Sequence, residues 1–134
     1  MTDAGSPYAS WTGRDPFTIK AGSGVSLHSA GGEQVLLCRV VYEPGATVAL
    51  HAHPEAEQVM FVAEGEVEMT IAGETRVLRA GDVAVVTRGL EHELRSGPGC
   101  TFFEALAPVP LDHVEDPERD LVLGPDGGAG HVQR

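Results

Sequence analysis

Polar and apolar residues alternate strictly along Glu66-Val67-Glu68-Met69-Thr70-Ile71, the pattern of a half-buried strand with its carboxylates in water. Upstream, Gln34-Val35-Leu36-Leu37-Cys38-Arg39-Val40-Val41-Tyr42 is β-branched and apolar, and Glu43-Pro44-Gly45 closes it with turn chemistry. Residues 47–51 form the next extended run, stopped by Pro54, and residues 58–63 the one after, closed by Glu64-Gly65. Ala72-Gly73-Glu74 and Ala80-Gly81-Asp82 turn the chain into two further runs, 75–78 and 83–86. His92-Glu93-Leu94 and residues 101–107 complete the set. About eight short strands spaced roughly 8–12 residues apart, with no convincing helix between residues 33 and 108, predict an all-β sandwich or barrel.

The flanks read differently. Residues 1–32 are expected to form an N-terminal arm with a first short strand or strands, and Gly22-Ser23-Gly24 and Gly31-Gly32 read as turns. Neither glycine group has the strand-to-helix setting that a phosphate loop requires. The arm either stays loose or packs on a neighbour through Trp11 and Phe17. Residues 33–110 are the barrel, and residues 111–134, rich in Pro, Gly and acids, read as a polar and partly disordered tail.

Composition narrows the function classes. A chain of 134 residues suits one domain. Nine Lys and Arg against twenty Asp and Glu give a net charge of −11, which repels nucleic-acid phosphates and anionic lipid. The run Val59-Met60-Phe61-Val62-Ala63 falls far short of the ~20 residues a membrane span needs. The first residues lack a basic-then-apolar pattern, so no signal peptide is expected. Cys38 and Cys100 are too few for a disulfide framework and read as buried thiols of a cytoplasmic protein. Glu55, Glu64, Glu66, Glu68 and Glu74 read as a solvated acidic face.

The candidate chemistry lies in the histidines. His51 and His53, two apart on an extended run, point to one face. A third, His92, opens a strand 41 residues after His51, beyond the Gly81 turn and Gly89. Three imidazoles brought to the inside of a barrel could share one ion. His28, His113 and His131 have no such spacing and read as solvent-exposed.

These stretches resemble the two motifs of the cupin superfamily, G-x5-H-x-H-x(3,4)-E-x6-G and G-x5-P-x-G-x2-H-x3-N. Gly45, His51, His53, Gly65, Gly81, Gly89 and His92 fall in place, whereas Thr87 replaces the proline and Ser96 the asparagine. The resemblance implies a single-domain cupin jelly-roll β-barrel with one divalent transition metal (Zn, Ni, Fe, Mn or Cu) at its mouth. It also implies a homodimer, in which the arm could add a strand to its mate. For the fourth ligand, counting back from Gly65 lands on Gln58, with Glu57 as the rival at the shorter spacing from His53. An unbulged strand puts Gln58, Met60 and Val62 on one face and Glu57, Val59 and Phe61 on the other, so Gln58 is the expected ligand with His51, His53 and His92.

That choice carries chemical weight. Three imidazoles and an amide leave the full 2+ charge on the metal, which suits Lewis-acid isomerisation, cyclisation or dehydration of an oxygenated small molecule. A carboxylate at Glu57 instead suits a dioxygenase acting on an enolic substrate. A non-catalytic metal- or metabolite-binding cupin is the third reading. The last strand supplies Glu104, aligned with the acid of a D-x-F-x-P-x-R run in uronate-opening cupins, as the candidate general acid or base. Turned inward, its carboxyl is expected to be desolvated and its pKa raised. Met60, Phe102 and Leu106 are the expected substrate pocket, with Arg39 as a candidate clamp.

Overall fold

The computed structural model describes residues 8–18 and 22–109, and every regular element among them is a strand. In chain order these are β1 (Phe17–Thr18), β2 (Gly22–Gly31), β3 (Leu36–His51), β4 (Glu57–Ile71), β5 (Glu74–Arg79), β6 (Val83–Val86), β7 (His92–Ser96) and β8 (Cys100–Ala107). All pairings are antiparallel.

Two strands run longer than the turn chemistry suggests. Glu43-Pro44-Gly45 lies within β3, and Glu64-Gly65 lies within β4. Both signals bend a strand instead of ending it, and each bend carries the strand from one sheet to the other. The first half of β3 pairs with β8, and the second half with β7. The first half of β4 pairs with β6 and β8, and the second half with β5 and β7. One sheet therefore runs β2-β3-β8-β4-β6 and the other β3-β7-β4-β5. Their inner faces share one hydrophobic core. The arrangement fits a jelly-roll barrel.

The bends depend on backbone that only glycine adopts easily. Gly45 and Gly65 have φ of 84° and 75°. At Gly65 there is also no room: an added Cβ would lie 2.2 Å from the Gly99 carbonyl oxygen, whereas at Gly45 it would meet nothing within 4 Å.

Strict alternation decides what faces inward. On β8 the buried residues are Cys100, Phe102, Glu104 and Leu106, and on the first half of β4 they are Gln58, Met60 and Val62. The outer face of the same sheet carries two rows set by the register: Val85–Val59–Ala105–Leu37 and Val83–Phe61–Phe103–Arg39. Leu37, Val59, Phe61, Val83 and Val85 on these rows are between 43% and 63% exposed.

The N-terminal region corrects the sequence reading. Residues 22–31, read partly as turns, form a ten-residue strand along β3. Val25, Leu27 and Ser29 point inward there, an alternation that the flanking glycines disguise. Trp11 is tied to this chain's own β2: its indole N–H donates to the Ser29 carbonyl at 3.0 Å, and its ring lies 5.9 Å from that of His28. His28, read as exposed, is half-buried and bonded through Nε2 to the Arg14 carbonyl at 2.8 Å. The polar tail at 111–134, with His113 and His131, lies outside the described residues. No helix among the described residues is long and apolar enough to cross a membrane.

Candidate metal centre

β3 delivers His51 at its last position, where it pairs with His92 at the first position of β7. His53 follows two residues later, in the loop to β4. The Gly89 N–H donates to the His53 carbonyl at 2.8 Å, binding this loop to the one that leads into His92. Each of the three imidazoles offers a ring nitrogen, and these nitrogens lie within 4.8 Å of one another. Ring centroids are 4.2 Å apart for His51 and His92, 5.1 Å for His51 and His53, and 5.3 Å for His53 and His92.

Hydrogen bonding sets the tautomers. His51 Nδ1 sits 2.8 Å from the Ala49 carbonyl, and His92 Nδ1 sits 3.0 Å from the Leu90 carbonyl. A carbonyl only accepts, so Nδ1 carries the proton in each ring and the Nε2 lone pair is left for a ligand. His92 Nε2 is buried and has no hydrogen-bond partner, an arrangement that costs free energy unless an acceptor of that lone pair is supplied. Burial lowers the His92 pKa; the Leu90 carbonyl opposes that shift, and the neighbouring His51 and His53 add to it. The ring therefore favours the neutral form that binds metals. His51 and His92, each with Nδ1 held on a backbone carbonyl, form with His53 a group of imidazole donors that could hold a transition-metal ion.

Gln58 is buried on the inner face of β4, and Glu57 is exposed on the outer face. The Gln58 amide nitrogen donates to Glu104 Oε2 at 2.5 Å, while its Oε1 is buried with no hydrogen-bond partner. Glu104, Phe102 and Leu106 share the inner face of β8, and Met60 sits across from Glu104 on β4. Arg39 is a correction. It stands on the outer face of β3, opposite the buried Cys38, Val40 and Tyr42, so it does not line the interior. Tyr42 faces inward instead and stacks 5.4 Å from Phe102. Three apart on one strand, Arg39 and Tyr42 take opposite faces, so at most one can line the interior; the register with β8, which pairs Cys38 with Glu104, decides which.

A family model described as a cupin domain matches residues 38–99. The chain carries a cupin domain. In fold it is similar to an RmlC-like cupin from Shewanella frigidimarina, with a TM-score of 0.69 and 22% identity, covering 77% of this chain and 91% of that one. Among curated proteins, oxalate oxidase 1 of Hordeum vulgare is 38% identical over 66 residues, 43% of this chain and 33% of its own length. Polyketide synthase CurC of Streptomyces cyaneus is 32% identical over 81 residues, 56% of this chain and 53% of its own length. The cupin thus spans about a third to a half of the length of the curated relatives it matches.

Proposed function

We propose that this cupin is a metal-dependent enzyme that uses Lewis-acid chemistry on an oxygenated small molecule, in an isomerisation, cyclisation or dehydration. The observation that carries this reading is Gln58: buried, facing inward, with a carbonyl oxygen that accepts no hydrogen bond. His51, His53, His92 and Gln58 would hold the ion with neutral donors only. A divalent ion with that shell keeps its full charge and supplies polarisation of a substrate carbonyl or enolate. Met60, Phe102 and Leu106 provide apolar walls that exclude water, and Glu104 is the acid or base beside them. The similarity to a polyketide synthase component supports an oxygenated carbon skeleton as substrate.

The similarity to an oxalate oxidase supports oxygen-dependent chemistry, and with it a second reading, a metal-dependent dioxygenase of an enolic substrate. An oxygen electrode separates the two. With the metal-loaded protein and a flavonol or a 1,3-diketone, Lewis-acid chemistry predicts no oxygen uptake, with isomerised or dehydrated products by mass spectrometry. Oxygen uptake dependent on His51 and His92 overturns it. Metal retention without turnover across such a panel leaves the binding module.

We also infer that the partner of the outer sheet face is a second copy of this chain. Leu37, Val59, Phe61, Val83 and Val85 are all more than 40% exposed and lie together on the two register rows, a contiguous apolar patch of the kind that supports an interaction site. With a charge of −11, two copies meet best where acids are few, as on these rows. Light scattering on Phe61→Glu should give a monomer and on the unaltered chain a dimer; a monomeric unaltered chain, its face covered by its own tail, refutes the assignment.

A further inference from the structure

We infer that Glu104 is a positioning residue that fixes which end of the Gln58 amide is available as a metal ligand. This rests on the metal-binding reading above and adds a device to it. An amide side chain has two ends of similar shape and opposite chemistry, an NH2 that only donates and an oxygen that only accepts. Only the oxygen binds a cation. In an apolar cavity nothing inherent to Gln58 selects the productive end.

The register supplies the selection. Met60 pairs with Glu104 and Gln58 with Leu106, which makes Gln58 and Glu104 diagonal neighbours on the inner face of β4 and β8. Both are buried, 3% and 6% exposed. Gln58 Nε2 donates to Glu104 Oε2, so the NH2 end is taken, and Oε1 is the buried acceptor left over. Across the strands Glu104 is flanked by Met60 and Cys38 and Gln58 by Leu106, and the buried Tyr42 phenol lies near enough to Glu104 to feel its charge. A carboxylate accepts and does not donate, so it can hold the amide in one orientation only. The hydrogen bond also draws electron density toward Oε1, which strengthens a neutral donor.

The inference makes a distinctive demand on double variants. Replacing Gln58 by glutamate gives a ligand whose two oxygens are alike, so it needs no orienting partner. It also sets two acceptors against each other with no donor between them. Removing the Glu104 carboxylate is therefore harmful beside Gln58 and helpful beside a carboxylate at 58.

The test uses the full chain and Co²⁺ alone, with affinity read by competition against a chromophoric chelator and ligation read by the visible Co²⁺ spectrum. Glu104→Met should weaken Co²⁺ binding about 10–100-fold, the usual cost of losing a group that orients a ligand, and alter the spectrum. Gln58→Glu with Glu104→Met should bind Co²⁺ more tightly than Gln58→Glu alone. A merely structural role for Glu104 would give the same loss in both backgrounds, and that result, or no loss in either, overturns the inference. If Glu104→Met does not fold, as judged by far-UV circular dichroism, Glu104→Gln serves in its place: its amide can donate to a carboxylate at 58, and the same reversal of sign is expected. Gln58→Ala separates the two levels of the argument. Unchanged Co²⁺ affinity in that variant removes Gln58 as a ligand and takes the inference with it, whereas weakened affinity without the sign reversal leaves the ligand and refutes the role of Glu104.

Discussion

Gly65→Ala tests the bend on which the two-sheet arrangement depends. At this position an alanine meets two separate costs. The backbone is held at φ 75°, where an L-residue loses about 1–2 kcal/mol relative to glycine. The new Cβ would also lie 2.2 Å from the Gly99 carbonyl oxygen and 2.9 Å from the Cys100 Cα, both backbone atoms that cannot swing aside. Relieving that clash means separating β4 from the start of β8, and overpacking of this kind adds about 1–3 kcal/mol. Gly45→Ala is the control: its φ is 84° but the space around it is open, so it should show the first cost alone. In urea, Gly45→Ala should lose about 1–2 kcal/mol and Gly65→Ala about 2–5 kcal/mol, with unchanged dependence on denaturant. In melting temperature that is a fall of about 3–4 °C per kcal/mol for a domain of this size. Equal losses in the two variants, or a loss below ~1 kcal/mol at Gly65, would mean that β4 does not pass so close to the β7–β8 turn.

Three further expectations follow from the site and the core. His51→Ala combined with His92→Ala should abolish retention of Co²⁺ or Zn²⁺ while preserving the β spectrum by circular dichroism; undiminished metal content in that variant removes the site. Gln58→Ala should lower metal affinity tenfold or more, by about the loss of one ligand or its support, whereas Glu57→Ala on the outer face should leave it unchanged; the opposite ranking would place the acid inside. Burial raises the Tyr42 phenol far above its ordinary value, with the charges of Glu104 and Cys100 adding to the shift. A raised folded value means that the neutral ring's contribution is complete below about pH 10 and is lost as pH rises beyond it. Melting temperature of the unaltered chain should therefore fall above that pH and that of Tyr42→Phe fall less; the buried Cys100 thiol, also raised, leaves a residual slope.

The histidine trio was legible because spacing alone brings it together: two residues apart on one strand, and a third at a strand start after glycine turns. That Gln58 shares a face with Met60 and Val62 was legible and burial reproduces it, but the unbulged strand assumed in counting from Gly65 is not what forms: the register shifts between Val62 and Glu64, and the buried positions change parity beyond it. The lengths of β3 and β4 were not legible. Glu-Pro-Gly and Glu-Gly encode a local change of direction, and whether it ends or bends a strand depends on neighbours that accompany it, here β7 and β8, which come much later in the chain. β2 was hidden for a related reason, because glycines at both ends suppress its strand propensity while β3 supplies the pairing. The side on which Arg39 lies and the bond from Gln58 to Glu104 both depend on the register of β8 against β3 and β4, which no single strand's sequence contains.

The single bond from the Gly89 amide to the His53 carbonyl has a thermodynamic consequence. It couples the two loops that carry donors, so the gap between them is closed before any ion arrives, and an ion entering need not pay to gather them. Loading should then be fast and weakly dependent on temperature. The exchange rate of that one amide proton, followed in deuterated water, would report how often the mouth of the barrel springs open.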